Sequence, residues 1–153
     1  MIAAVAAAKL EDLTLEVREE LHVKAPLDVT FESLLEQLGP LMTQAEMRPM
    51  PMKIEAWPGG RWYRDLGNGN GHYWGTVQAI KKPTLLEICG PLMISSAVFS
   101  NVQYRLSEEN GGTLIKFRHT GFGCIDKEMA SGMPQGWTHI IERVRAQAEG
   151  KKQ

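Results

Sequence analysis

From Thr14 the chain alternates with period two. Leu15, Val17, Glu19, Leu21 and Val23 fall on one side, and Glu16, Arg18, Glu20, His22 and Lys24 on the other. That pattern predicts a strand with one wet face. Ala25-Pro26 stops it, and Pro26 suits the first turn of a helix. Val29, Phe31, Leu34, Leu35 and Leu38 then recur at helical spacing, with Gly39-Pro40 closing the helix. A short second helix is expected over Leu41–Ala45.

From Met50 the pattern is strand after strand. Pro51–Trp57 places Met52, Ile54 and Ala56 on one face, and Pro58-Gly59-Gly60 turns the chain. Strands are expected over Arg61–Leu66, His72–Lys82, Thr84–Cys89, Ala97–Ser107 and Thr113–His119. The breaks between them are Gly67–Gly71, Pro83, Gly90-Pro91 and Glu109–Gly112. Helical spacing returns at the end, where Met129, Met133, Trp137, Ile140, Ile141, Val144 and Ala148 form one stripe. Pro134 lies inside that stretch, so a kink is expected there, or a short turn from Asp126 followed by a main helix from about Pro134.

Strands joined by tight turns pair as antiparallel neighbours. Their shared apolar face needs a cover, and only the terminal helix is long and amphipathic enough to supply it. The expected fold is therefore α+β: a curved antiparallel sheet wrapped around one long C-terminal helix, with two small helices after the first strand. A curved sheet and a straight helix meet imperfectly, which predicts a cavity of about 300–1,000 Å³ between them.

Length and charge narrow the classes. A chain of 153 residues is one domain by length. Residues 1–13 read as an N-terminal extension and 14–150 as the domain. A net charge of −1 without any basic run argues against nucleic acid as a partner. No apolar run reaches the length of a membrane span. Met1–Ala8 is small and apolar but lacks the basic flank and length of a signal peptide. Cys89 and Cys124 are far apart and form no CxxC, so neither a disulfide framework nor a zinc site is expected, and a cytoplasmic location fits. His22, His72, His119 and His139 show no metal-binding spacing. The Gly67–Gly71 run opens no helix and is no dinucleotide loop. No cofactor is expected.

Several motifs resemble the SRPBCC superfamily, also called START or Bet v 1-like, and within it the branch similar to the C-terminal domain of the activator of the Hsp90 ATPase. They are Val23-Lys24-Ala25-Pro26, Pro58-Gly59-Gly60-Arg61-Trp62, Trp74-Gly75-Thr76-Val77, Gly112-Thr113-Leu114 with His119-Thr120-Gly121-Phe122, and Gly136-Trp137. They follow the family's order from about Leu15 to Ala148. The resemblance implies a helix-grip fold with an internal hydrophobic cavity. It does not imply one activity, because that superfamily includes lipid carriers, polyketide cyclases or aromatases, stress proteins and chaperone-associated domains.

The candidate cavity residues come from the inward faces. Ser100, Val102 and Tyr104 share one side of their strand, and Phe117 and His119 share one side of theirs. His119 could bond a ligand or move a proton; as a structural histidine it would bond backbone beside Gly121. The hydroxyls of Ser100 and Tyr104 need partners, each other or a wet cavity. Glu19 on the apolar side needs Arg61, Arg64 or a ligand donor, unless strand twist takes it to water. Of the next strand, either Trp62 and Arg64 or Arg61 and Tyr63 face inward, with Trp62 the preferred wall. Met42, Met47, Met50 and Met52 would line a cavity mouth or fill gaps, Met129 and Met133 would complete the rim, and Trp137 would lie in the core under the sheet.

The leading expectation is a carrier, sensor or stress-related protein that binds a small hydrophobic molecule. The alternatives are a cyclase or aromatase-like enzyme and a chaperone-interacting domain. The chain as given carries no separate N-terminal domain of the kind the eukaryotic Hsp90 activator uses, which weighs against the last. The sheet edge and the alanine-rich start permit a homodimer.

Overall fold

The computed structural model describes residues 9–151. The part of the expected extension that spans Met1–Ala8 lies outside the described residues; Leu10–Leu13 form a 3-10 turn. That turn leads into β1 (Thr14–Val23), whose Val17 and Val23 are buried as the alternation requires. Helix α1 (Leu27–Leu38) follows Pro26 and buries Phe31, Leu34, Leu35 and Leu38.

The second small helix expected over Leu41–Ala45 does not form. Met42 N–H donates to Gly39 C=O as a turn, and the chain then doubles back on itself. Gln44 N–H donates to Arg48 C=O at 2.8 Å and Met50 N–H to Met42 C=O at 2.9 Å. The result is a narrow loop, residues 42–50, with one 3-10 turn at Ala45–Met47. Once the chain pairs across the loop, those backbone groups are no longer free for a helical ladder.

The expected strand over Pro51–Trp57 shrinks to β2 (Lys53–Ile54). Its ladder ends early because Glu55 turns onto Arg61, with Glu55 N–H donating to Arg61 C=O and Arg61 N–H to the Glu55 carboxylate. Next come β3 (Arg61–Gly67), β4 (Asn70–Lys81), β5 (Leu85–Gly90), β6 (Val98–Glu109) and β7 (Gly112–Gly123). Strand β7 outruns its expected end at His119. It is flanked on both sides, with Phe122 opposite both Thr14 and Phe99, so pairing continues through Gly121.

All pairings are antiparallel, in the order β1-β7-β6-β5-β4-β3-β2. Register shifts at Trp62/Tyr63, Asp65/Gly67 and Val77/Ala79 are the irregularities that bend a sheet. At Gly90 the backbone has φ 150°, and a Cβ there would stand 2.6 Å from Trp74 O, so only glycine lets the strands close at this point.

Helix α2 (Lys127–Lys151) is one piece of 25 residues, with Pro134 inside it. The break expected at Pro134 is overridden downstream. Trp137, Ile140, Ile141, Val144 and Ala148 are all buried against the sheet and α1, and that burial outweighs one missing hydrogen bond. Its far end is tied to α1: Gln147 donates to Glu36 at 2.7 Å, Gln37 to Gln147 at 2.6 Å and Lys151 to Glu36 at 2.9 Å. The hydrogen bond from Lys151 holds the Glu36 carboxyl below its ordinary range. No helix among the described residues is long and apolar enough to cross a membrane.

Trp62 joins the two halves of this architecture. It is fully buried on β3, and its Nε1–H donates to Leu38 C=O at 2.7 Å, the last carbonyl of α1. A helix end otherwise leaves that acceptor without an intrahelical donor. Trp62→Phe keeps most of the volume and removes the donor. We expect a loss of about 1–2 kcal/mol in urea unfolding, with the native spectrum retained.

Candidate functional site

The concave face of the sheet is where the sequence places the cavity, and the β6–β7 half of it is filled. Ser100, Val102 and Tyr104 of β6 and Phe117 and His119 of β7 all point inward and are buried. Four rings pack in series across this space. Tyr104 lies 5.0 Å from Phe117, Phe117 lies 4.9 Å from Trp137, and Trp137 meets His119 edge-on at 5.5 Å. Aromatic side chains are large enough that four of them take up the room between sheet and helix.

A polar chain runs through this packing. Trp137 Nε1–H donates to His119 Nδ1 at 3.0 Å, and His119 Nε2 lies 2.9 Å from Ser100 Oγ. An indole nitrogen only donates. His119 Nδ1 must therefore be the bare nitrogen, and the Nε2–H donates to Ser100. Protonating Nδ1 would set two donors face to face. Burial also disfavours the charged ring and lowers its pKa from 6.5 to about 4. His119 is thus held neutral in one tautomer by side chains, not by the backbone bond considered for it.

The other candidates separate. The Tyr104 hydroxyl has no hydrogen-bond partner among the described residues, and burial raises its pKa well above the ordinary value. Glu19 sits half-buried at the rim and accepts from Thr138 of α2, so it meets neither Arg61 nor an interior donor. Arg61 points outward: its guanidinium pairs with Glu55 at 2.9 Å and lies 4.5 Å over the Tyr63 ring. That pairing takes the Glu55 carboxyl down to about 2. Trp62 is the inward residue of its strand, edge-on to Trp74 at 5.0 Å, behind the open space rather than on it. Met52 is core, Met129 is exposed and off the lining, and Met133 and Trp137 are on it.

The open volume lies beside the filled interior. A cleft of about 540 Å³ runs between loop 42–50 and the flank of α2. The loop contributes Met42, Thr43, Gln44, Glu46 and Met50; Trp74 and Met93 close one end. Helix α2 contributes Gly132, Met133, Gln135, Gly136, Trp137, His139 and Ile140. Thr43 Oγ1 and His139 Nε2 are 2.8 Å apart and bridge loop to helix. At the loop tip Glu46 and Met47 both adopt φ 61°, a conformation uncommon for side chains with a Cβ. A second depression, about 660 Å³, lies between the start of α1 and the β6–β7 turn, with Asp28, Glu108 and Glu109 on its rim.

Sequence reasoning reached Met42, Met50, Met133 and Trp137 and missed Trp74, Met93, His139 and the two glycines as a lining. One signal was present. Gly132 and Gly136 stand four apart in a helix, one turn, where each costs about 1 kcal/mol against alanine. A Cβ at either position would have no neighbour within 4 Å, so the packing of the protein does not require glycine there.

Residues 25–149 match the family described as Activator of Hsp90 ATPase homolog 1-like protein. Solved structures share the architecture at low identity. Protein MLL2253 from Mesorhizobium loti is 18% identical with a TM-score of 0.69, over 90% of this chain and 99% of that one. Ara h 8.0201 is 16% identical with a TM-score of 0.66, also over 90% and 99%. The di-domain ARO/CYC StfQ from the steffimycin biosynthetic pathway is 12% identical with a TM-score of 0.66, over 93% of this chain and 53% of that one. No curated protein matches the sequence significantly. The fold is the helix-grip fold of the SRPBCC superfamily. The chain belongs to the family of activator of Hsp90 ATPase homolog 1-like proteins.

Above pH 6.5 His119 is neutral folded or unfolded. As pH falls from 6.5 to about 4, only the unfolded chain takes up its proton, so stability declines, by about 3 kcal/mol for this group. Urea unfolding across that window should show the decline, and His119→Gln should flatten it. Gly132→Ala and Gly136→Ala should each raise unfolding free energy by about 0.5–1 kcal/mol, read in the same assay.

Proposed function

We propose that the protein binds a small hydrophobic molecule in the cleft between loop 42–50 and α2, as a carrier or sensor. The observation that carries this is the cleft itself: about 540 Å³, walled by methionines and two indoles, in the size range of small-molecule sites. Membership of a cavity-bearing fold family supports it. So do the strained loop tip and the helix glycines, which reduce stability where the lining is built.

The likeness to StfQ raises a cyclase or aromatase reading. Such a site needs a base and donors that converge on one substrate. His119 is committed to Trp137 and Ser100, Arg61 to Glu55 and Glu19 to Thr138, the Tyr104 hydroxyl is buried without a partner among the described residues, and none of the four lines the cleft, so the residues expected for that chemistry do not converge on it. A chaperone-binding patch on residues 42–52 finds little support either, because Met42, Met50 and Met52 are buried and only Met47 is exposed among these methionines.

Thermal shift against a panel of apolar compounds tests the binding reading. A ligand at a hundredfold excess over its Kd should raise Tm by about 5–10 °C and change the fluorescence of Trp74 and Trp137. Gly136→Leu, which builds a side chain into the cleft, should abolish both effects while the protein stays folded. A panel in which no compound shifts Tm would sink the reading.

A further inference from the structure

Charge on the cleft lining is one-sided. Among the described residues, Glu46 is the only titratable side chain on it apart from the imidazole of His139, and no lysine or arginine lines it. Arg48 follows Glu46 in the loop and Arg143 lies one helical turn beyond His139, yet both are off the lining. A carboxylate that entered would leave water, gain no guanidinium or ammonium, and approach the Glu46 carboxyl group. Each of these opposes binding.

The walls favour rings. Met42, Met50, Met93 and Met133 present polarisable thioethers, which make favourable contacts with aromatic edges. Trp74 and Trp137 back the lining, with most of each ring already packed inside the protein, and add apolar surface at its base. Gly132 and Gly136 add no side chain to the α2 wall, so at these two positions a flat molecule can approach the helix backbone, between Met133, Gln135 and His139. Two amide side chains on the lining, Gln44 and Gln135, have a carbonyl oxygen that accepts no hydrogen bond among the described residues, and Gln44 is the less exposed. Gln44 Nε2 donates to Met50 Sδ, a poor acceptor, and its side chain has no other hydrogen bond among the described residues. Its carbonyl oxygen can accept from a hydroxyl group.

We propose that the cleft selects planar aromatic molecules without negative charge, reads a hydroxyl substituent through Gln44, and rejects carboxylates, fatty acids among them. This rests on the binding reading above and narrows it to a ligand class.

Isothermal titration of the full chain at pH 7.5 with 2-naphthol, 2-naphthoate and decanoate separates the two. We expect 2-naphthol to bind about tenfold or more tighter than 2-naphthoate, and decanoate to bind more weakly than either. Glu46→Gln should narrow the naphthol-to-naphthoate ratio about threefold. Gln44→Leu should weaken 2-naphthol about fivefold and leave naphthalene unchanged. Naphthoate or decanoate binding as tightly as naphthol overturns the selectivity and leaves the binding reading standing. Failure of every probe to bind, or naphthol binding that survives Gly136→Leu, overturns both.

Discussion

The hydrogen bond from Trp137 to His119 is the contact on which this structure depends. It joins α2 to β7 inside the protein, and His119 passes it on to Ser100 of β6. A buried indole N–H, imidazole and hydroxyl would each cost free energy if left alone. Linked in series they satisfy one another and fix the rotation of α2 about its axis. That rotation puts Trp137, Ile140 and Val144 toward the sheet and leaves Gly132, Gly136 and His139 on the flank that faces the loop. Burial, together with this bond, keeps His119 neutral and makes it a structural pin.

The position of the open space follows from this docking. The rings of Tyr104, Phe117, Trp137 and His119 fill the room under β6 and β7. The void expected at the sheet–helix junction is displaced toward Trp74 on β4 and the loop after α1. The loop that bounds it departs from local rules, with two non-glycine residues at positive φ and a paired backbone where a helix is expected from the sequence. The helix opposite carries two glycines in its interior. Local preference and global fold thus disagree on both sides of the cleft.

Much of the architecture was legible in the chain. Alternation from Thr14 to Val23 and again along β6 gave strands with correct inward faces, because period two is a local property. The stripe from Met133 to Ala148 gave the covering helix for the same reason. Motifs spread from Val23 to Trp137 gave the family. Boundaries were weaker where a neighbour decided them. Strand β7 runs past Gly121 because β1 and β6 both pair with it, and β2 stops at Ile54 because Glu55 reaches Arg61. The site was legible only in part. Met42, Met50 and Met133 stood out as flexible apolar side chains, but Arg61, Glu19 and Met129 were drawn in by alternation or spacing alone.

The sequence by itself determined the inward faces of β6, β7 and the terminal helix, that this helix covers the sheet, and which family the chain belongs to. All three follow from periodicity or from short ordered motifs. Only the tertiary structure decided that His119 is pinned, that Arg61 turns to Glu55, that Pro134 does not break α2, and that the cavity lies beside the core. Each of these depends on a partner far along the chain, or on burial summed over many residues. Neither can be read from neighbours in sequence.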